Sequence, residues 1–302
     1  MLKIIKKFNN DNMKIYSKKV NDFDHYKGKH FGESWYSTII DSDKDGYFID
    51  PLTGKTKVLF KFRKSKIPDE LADSAIGAFL KEAKKKHPNR GIATGIPIGE
   101  TTARHTTESG QSITGYVASN ISGYFDRPLR EHRGTLGTIV ACRTTAFTNN
   151  NTEQWSKGLP FVRHCSKLFK EYSPKEYRLQ KREWSKIHES VKIPRTVFTT
   201  VTSNYNWQTA CHRDSGDCHV GLGNLTVLGK DFNGGYLGFP EFKILIKIQP
   251  GDFLLMDSHQ WHCNTPIKTK RGGFRLSFVM YIREDMHKCK TKKSIGSIKY
   301  LV

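Results

Sequence analysis

Hydrophobic positions along the chain follow two periods. Over 68–83 and 160–187 they recur at helical spacing, and from about residue 195 they come in short alternating runs. Pro68 suits a first helical position, and Asp69 and Glu70 place acid in the first turn. Leu71, Ala75, Ile76, Phe79, Leu80 and Ala83 then form one buried face. Residues 160–171 carry Phe161, Cys165, Leu168 and Phe169 on a second stripe. Ser173, Pro174 and Glu176 read as a capping box that opens a third helix. Tyr177, Trp184 and Ile187 face inward from it, and it ends before Pro194. Gly, Thr and β-branched residues between 91 and 147 predict strands and turns.

The C-terminal pattern predicts strands at Arg195–Val201, Leu222–Leu228, Tyr236–Phe239, Phe242–Ile248, Asp252–Met256 and Phe274–Ile282. Asn233-Gly234-Gly235 and Pro250-Gly251 mark turns between them. Short strands at this spacing point to an antiparallel sandwich or barrel. No internal repeat or low-complexity linker divides the chain, so one domain with an N-terminal extension is predicted.

The hydrophobic set makes up 36% of the 302 residues, which excludes wholesale disorder. No apolar run approaches the ~20 residues of a membrane span. The basic N-terminus lacks the apolar stretch of a secretory signal. The six cysteines contain no CxxC, which predicts reduced intracellular thiols and no disulfide framework. Cys211, Cys218 and Cys263 lack paired zinc-ligand spacing and read as small core residues. The expected setting is therefore inside a cell, cytoplasmic or nuclear, with no membrane partner.

Charge changes the picture more. Lys and Arg number 50 against 29 Asp and Glu, a formal charge of +21. Such an excess favours a polyanionic partner, with nucleic acid first. The cations cluster at Lys61, Arg63, Lys64 and Lys66, at Lys81, Lys84, Lys85, Lys86 and Arg90, at Lys268, Lys270, Arg271 and Arg275, and at Lys288, Lys290, Lys292 and Lys293. Lys84–Lys86 also suit a helix C-terminus. They and the Lys288–Lys293 set are expected to contribute to nucleic-acid affinity.

Candidate chemistry begins at Cys211-His212-Arg213-Asp214. On an extended segment, His212 and Asp214 face the same way because the side-chain period is two. A third ligand stands downstream, either His259 or His262; being three apart, they face opposite ways on a strand. Two imidazoles and one carboxylate on one face leave positions open for a co-substrate and O₂, the arrangement of non-haem Fe(II) oxygenases. Arg275 supplies the planar fork that the far carboxylate of 2-oxoglutarate needs.

At these residues the C-terminal third resembles Fe(II)/2-oxoglutarate dioxygenases. It is most similar to the TET/JBP-like branch that oxidises the 5-methyl group of pyrimidines in nucleic acid, namely the TET methylcytosine dioxygenases and the J-binding-protein thymine hydroxylases. The TET-like register runs from His262 through Thr265-Pro266 to Arg275-Leu276-Ser277 and Tyr281, and it selects His262 over His259. The J-type resemblance covers His212-x-Asp214-x-x-Asp217, Gly221–Val227, Gly234–Leu237, Gly251-Asp252 and the upstream Ser119–Arg127. It extends from about residue 112 to 283, and shows no match to a J-base-binding domain or to a Cys-rich zinc region.

The resemblance implies an α+β fold, a double-stranded β-helix (jelly-roll/cupin-like) core with flanking helices. It implies a basic N-terminal extension over 1–90 with a helix packed on the core, a dioxygenase core over 91–285 and a basic tail over 286–302. Fe(II) would be held by His212, Asp214 and His262. 2-Oxoglutarate would be held by Arg275, with Ser277 and Asn204 as helpers, and O₂ is the third reactant. Asp217 and Asn204 are the candidate substrate contacts. The implied substrate is the methyl group of a DNA pyrimidine, thymine ahead of 5-methylcytosine. Two alternatives stand beside it: a hydroxylase of protein side chains, and a non-catalytic nucleic-acid-binding protein on the same fold.

Overall fold

A computed structural model describes residues 12–87, 90–95, 117–126, 142–290 and 295–296. The strands are β1 (Met13–Tyr16), β2 (Thr38–Ile40), β3 (Lys44–Ile49), β4 (Thr56–Arg63), β5 (Lys86–His87), β6 (Val117–Phe125), β7 (Cys142–Thr144), β8 (Thr200–Tyr205), β9 (Gly223–Gly234), β10 (Leu237–Phe239), β11 (Ile244–Ile246), β12 (Phe253–Met256), β13 (Cys263–Asn264), β14 (Ile267–Tyr281) and β15 (Ile295–Gly296). The helices are α1 (Asp69–Ala83), α2 (Ala146–Asn150), α3 (Thr152–Tyr172) and α4 (Pro174–Ser185).

The large sheet has the order β1-β3-β4-β12-β9-β14-β8-β6-β7-β15, with β5 on β6. A small sheet, β13-β10-β11-β2, faces it. Leu59, Phe60, Phe62, Leu225, Val227 and Leu254 from the large sheet meet Leu237, Phe239, Ile244 and Ile246 from the small one. On the outer face, Leu228, Phe253, Leu276, Phe278 and Met280 meet Phe79 of α1 and Phe161 of α3. The result is a double-stranded β-helix with helices against one side. Among the described residues no helix is long and apolar enough to cross a membrane.

Strand β14 shows how the sheet divides its side chains. Leu276, Phe278 and Met280 point to the helices. The alternate positions Arg275, Ser277 and Val279 point between the sheets, where Val279 packs on the inner core.

Several sequence expectations need correction. The segment before residue 90 does not stand outside the core, because β1, β3 and β4 join the large sheet and β2 the small one. The helix expected over 160–171 begins at Thr152, and Pro160 lies inside it. Buried Trp155, Gly158 and Phe161 extend its packed stripe, so packing overrides the local break. The strand expected from Arg195 begins at Thr200. Arg195 takes a left-handed φ of 62°, and Thr196 Oγ accepts from the Phe198 amide at 3.0 Å, so this stretch is a turn. Ser173 caps α4 differently from a capping box: its hydroxyl donates to Glu176 at 2.6 Å, and no side-chain bond reaches the backbone. Strand β9 runs on to Gly234 instead of stopping near Leu228, since β14 pairs with it that far.

The thiol expectation also fails in part. Cys142 and Cys289 form a disulfide across 147 residues. Together with buried Met286 and the pairing of β15 on β7, it ties down a segment expected to be a free tail. Cys165, Cys211, Cys218 and Cys263 are free.

Gly158 is where α1 and α3 come closest. A Cβ there would lie 2.3 Å from the buried ring of Phe79. Gly158→Val is therefore expected to cost about 1–3 kcal/mol in thermal or urea unfolding, and an unchanged midpoint would show that the interface yields freely.

Candidate active site

The loop after β8 brings His212 beside His262, and the two backbones join in an isolated antiparallel bridge. His212 N–H donates to His262 O at 3.1 Å, and His262 N–H to His212 O at 3.0 Å. Two further bonds fix the loop: Cys211 N–H to Lys29 O, and Ala210 N–H to Ala93 O, both 2.8 Å. Asp214 is set by its N–H to Ser258 O at 3.0 Å.

The imidazole tautomers follow from geometry. His212 Nδ1 lies 2.7 Å from Ala210 O, and His262 Nδ1 lies 2.9 Å from Gln260 O. A carbonyl only accepts, so each Nδ1 carries a proton, and in the neutral ring Nε2 is the atom that presents a lone pair. Those Nε2 atoms stand 3.6 Å from Asp214 Oδ1 and Oδ2 respectively. One ligand atom from each of the three residues lies within 4.8 Å of the others. Burial and the neighbouring His212 push the His262 pKa down to about 4, which keeps it neutral. Two lone pairs and a carboxylate converge with no donor between them, so the set fits a cation.

His259 stays outside this cluster. Its Nδ1 lies 3.4 Å from Asp257, its Nε2 lies 3.3 Å from Asp217 O, and the bond to Asp257 raises its pKa. It braces the loop that carries Ser258.

Arg275 is 1% exposed, yet its Nε and Nη2 have no partner among the described residues. Burial lowers its pKa to about 10, so it remains charged at neutral pH. A buried, uncompensated guanidinium is costly, so the site fits an incoming anion. Asn206, held at a left-handed φ of 46°, brackets the Arg275 backbone: its Oδ1 accepts from Arg275 N–H at 2.7 Å, and its own N–H donates to Arg275 O at 2.9 Å. Ser277 lies two residues on, along the same wall. It is in register with Asn204 of β8, whose Oδ1 accepts from Ser119 at 2.5 Å. The structure thus brings Arg275, Ser277 and Asn204 together.

Asp217 lies on another side. Burial and then the Asp214 charge raise its pKa above the usual carboxylate range, against the pull of Arg283 at 3.8 Å. Arg283 also pairs with Asp126 at 3.2 Å. Asp217, Ser258, His259, Tyr281 and Gln180 line a small open cleft of about 10 Å³, and Asp217 N–H donates to Asp214 O at 3.1 Å, which ties the cleft to the triad. Sequence reading missed Arg283. The inward alternation Arg275, Ser277, Val279, Tyr281 points to it as the next member. It also read Arg90 only as surface charge, whereas its Nε is buried without a partner and it feels the charge of Asp214.

The basic clusters fare unevenly. Lys288 pairs with Asp285 at 2.9 Å, and Lys85 with Glu82 at 2.5 Å. Lys292 and Lys293 lie outside the described residues.

Comparison with known proteins adds three findings. The family model Tet_JBP, described as the oxygenase domain of the 2OGFeDO superfamily, matches residues 121–284, just over half of the chain. The thymine dioxygenase JBP1 of Trypanosoma brucei brucei is 34% identical over 168 residues, 55% of this chain and 19% of that protein. Its counterpart in Crithidia fasciculata is 32% identical over 217 residues, 70% of this chain and 25% of that protein. The chain thus spans about a quarter or less of these curated relatives. A solved structure, NgTET1 in complex with 5mC DNA, superposes with a TM-score of 0.54 at 14% identity, covering 93% of this chain and 85% of the other. That likeness shows the shared fold.

Gly235 makes room for Arg275. It has a φ of +66°, and a Cβ there would lie 2.6 Å from Arg275 Nε. Gly235→Ala is expected to lower stability by roughly 1–3 kcal/mol. Adding Arg275→Ala should recover part of that loss in a double-mutant cycle, because the clash partner is gone. Strictly additive losses would assign the whole cost to the backbone angle.

Proposed function

The chain belongs to the Tet/JBP family of oxygenase domains in the 2-oxoglutarate- and Fe(II)-dependent dioxygenase superfamily, and from that premise we propose that it hydroxylates the 5-methyl group of a pyrimidine in DNA, with thymine preferred over 5-methylcytosine. Its cofactors are Fe(II), 2-oxoglutarate and O₂. The observation that carries the reading is the convergence of the His212 and His262 rings with Asp214 beside a buried arginine that lacks a counter-charge among the described residues. The preference for thymine rests on the relatives named thymine dioxygenase.

In this reading His212, Asp214 and His262 hold the iron, which when bound with 2-oxoglutarate supplies O₂-dependent C–H hydroxylation coupled to decarboxylation. The chain's own residues do the positioning. The carbonyls of Ala210 and Gln260 lock both imidazole tautomers. Arg275 takes the far carboxylate of the co-substrate by a charged fork, with Ser277 and Asn204 on the same wall. Asp217, bonded through its N–H to the Asp214 backbone, is the candidate contact to the base, which must leave the duplex stack to reach the triad. Arg283 and Asp126 hold Asp217 in place. The core takes in β1–β4 as well as residues 91–285, since those strands belong to both of its sheets.

Three measurements test this. His262→Ala should abolish iron retention and turnover, while His259→Ala keeps most of both; the opposite ranking would move the third ligand. Arg275→Lys should bind iron but need far more 2-oxoglutarate, since an ammonium cannot form the bidentate pair. Unchanged co-substrate dependence would place the carboxylate elsewhere. Nucleosides from duplexes incubated with Fe(II) and 2-oxoglutarate should contain hydroxymethyluracil by mass spectrometry. Hydroxymethylcytosine alone would reverse the base preference. Succinate formed on a protein with no oxidised base would replace DNA as the substrate.

A further inference from the structure

Many of the cations that cluster in the sequence are neutralised in the fold. Lys61 and Arg63 pair with Asp45 at 3.1 and 2.7 Å, and Lys64 pairs with Asp252 at 2.9 Å. One surface differs. The β9–β14 ladder shifts register between Thr269 and Phe274, so residues 270–273 bulge outward. Lys268, Lys270 and Arg271 are exposed there, and exposed Lys230 sits opposite Phe274 on the ladder. None of these four has an ion-pair partner among the described residues, although Asp231 of β9 lies at the same bulge. Gly272, with a φ of +77°, has nothing within 4 Å of where a Cβ would sit, so the tip stands free.

Behind this bulge lie two half-buried rings. Tyr205 stacks on Phe274 with centroids 6.4 Å apart and planes at 19°. The Lys84 ammonium lies 5.3 Å above the Tyr205 ring. Like charges crowded on one hairpin repel each other unless a polyanion sits between them. Cations around an aromatic ledge are the chemistry of a nucleic-acid strand, phosphate outside and base or sugar against the rings.

We infer that this bulged end of the β9–β14 strand pair, a hairpin-like edge, is a second nucleic-acid contact, separate from the cleft, in which Lys230, Lys268, Lys270 and Arg271 hold phosphates that flank the target base. The inference rests on the DNA reading above and extends it to how the polymer is held. Phe274 and Tyr281 stand near opposite ends of the core part of β14. Seven steps of about 3.3 Å separate them by ~23 Å, or roughly seven base pairs at 3.4 Å each. A tetranucleotide in the cleft cannot reach the hairpin, but a longer duplex can.

The test uses the full chain loaded with Fe(II) and 2-oxoglutarate. One variant carries K230Q, K268Q, K270Q and R271Q. A second removes equal charge from the exposed face of α4 through K175Q, R178Q, K181Q and R182Q. Binding to a duplex of about 20 base pairs is followed by fluorescence anisotropy across salt, beside turnover of a tetranucleotide. The hairpin variant should lose about tenfold or more in duplex affinity, and its log–log salt slope should flatten by about 0.9 for each phosphate that it no longer neutralises. Its tetranucleotide turnover should be unchanged, and the α4 variant should keep the parental slope. An unchanged slope in the hairpin variant, or equal losses in both variants, overturns the inference. Hairpin-dependent binding without any base oxidation keeps the inference and removes the substrate reading. A parental protein that does not bind duplex at all removes both.

Discussion

The buried charge of Arg275 constrains the whole site. A guanidinium 1% exposed with two unpartnered nitrogens is destabilising unless an anion joins it. The fold accepts that cost by surrounding the residue with rigid elements. Gly235 clears its path, Asn206 fixes its backbone from the side, and β8 and β9 flank it in the sheet. The same strand then turns Leu276, Phe278 and Met280 outward into the helices. One alternation therefore anchors the barrel to its helical layer and aims a cation into the interior. Stability on one face supports the charge on the other.

The cluster of His212, Asp214 and His262 depends on a different device. His212 and His262 come from segments far apart in sequence, and two reciprocal backbone bonds bring them together. Side-chain direction is then settled by carbonyls two residues upstream of each histidine. Because the proton is held at Nδ1 in both rings, both Nε2 lone pairs meet Asp214 with no conformational search. Asp214 is itself held through Ser258, which also lines the cleft. The three converging side chains and this cleft thus share one support.

Much of this was legible in the sequence because it rests on short periods. The spacing His212-x-Asp214, the inward series on β14 and the stripe on α1 are local patterns, and local patterns survive in one dimension. The choice of His262 over His259 required the motif register, and the structure explains it: His259 is engaged by Asp257 and Asp217. What was not legible depends on contacts distant in sequence. The Cys142–Cys289 bond joins residues 147 apart. The start of α3 is set by packing of Trp155 and Gly158, against the local signal of Pro160. The N-terminal strands enter the sheets by pairing with β11 and β12, which their own residues do not announce.

Charge shows the same limit more sharply. A run of lysines in sequence says that cations are near one another along the chain, not that they are free. Lys61, Arg63 and Lys64 form one of the denser runs, and all three meet carboxylates brought by other strands. The bulge at 270–273 has fewer neighbours along the chain, yet its cations stay unpaired among the described residues, and Phe274, which stacks on Tyr205, directly follows it. A net charge of +21 therefore measures only what the protein tends to attract. Where a polyanion touches is decided by which cations the fold leaves without an acid, and by whether an apolar surface lies beside them.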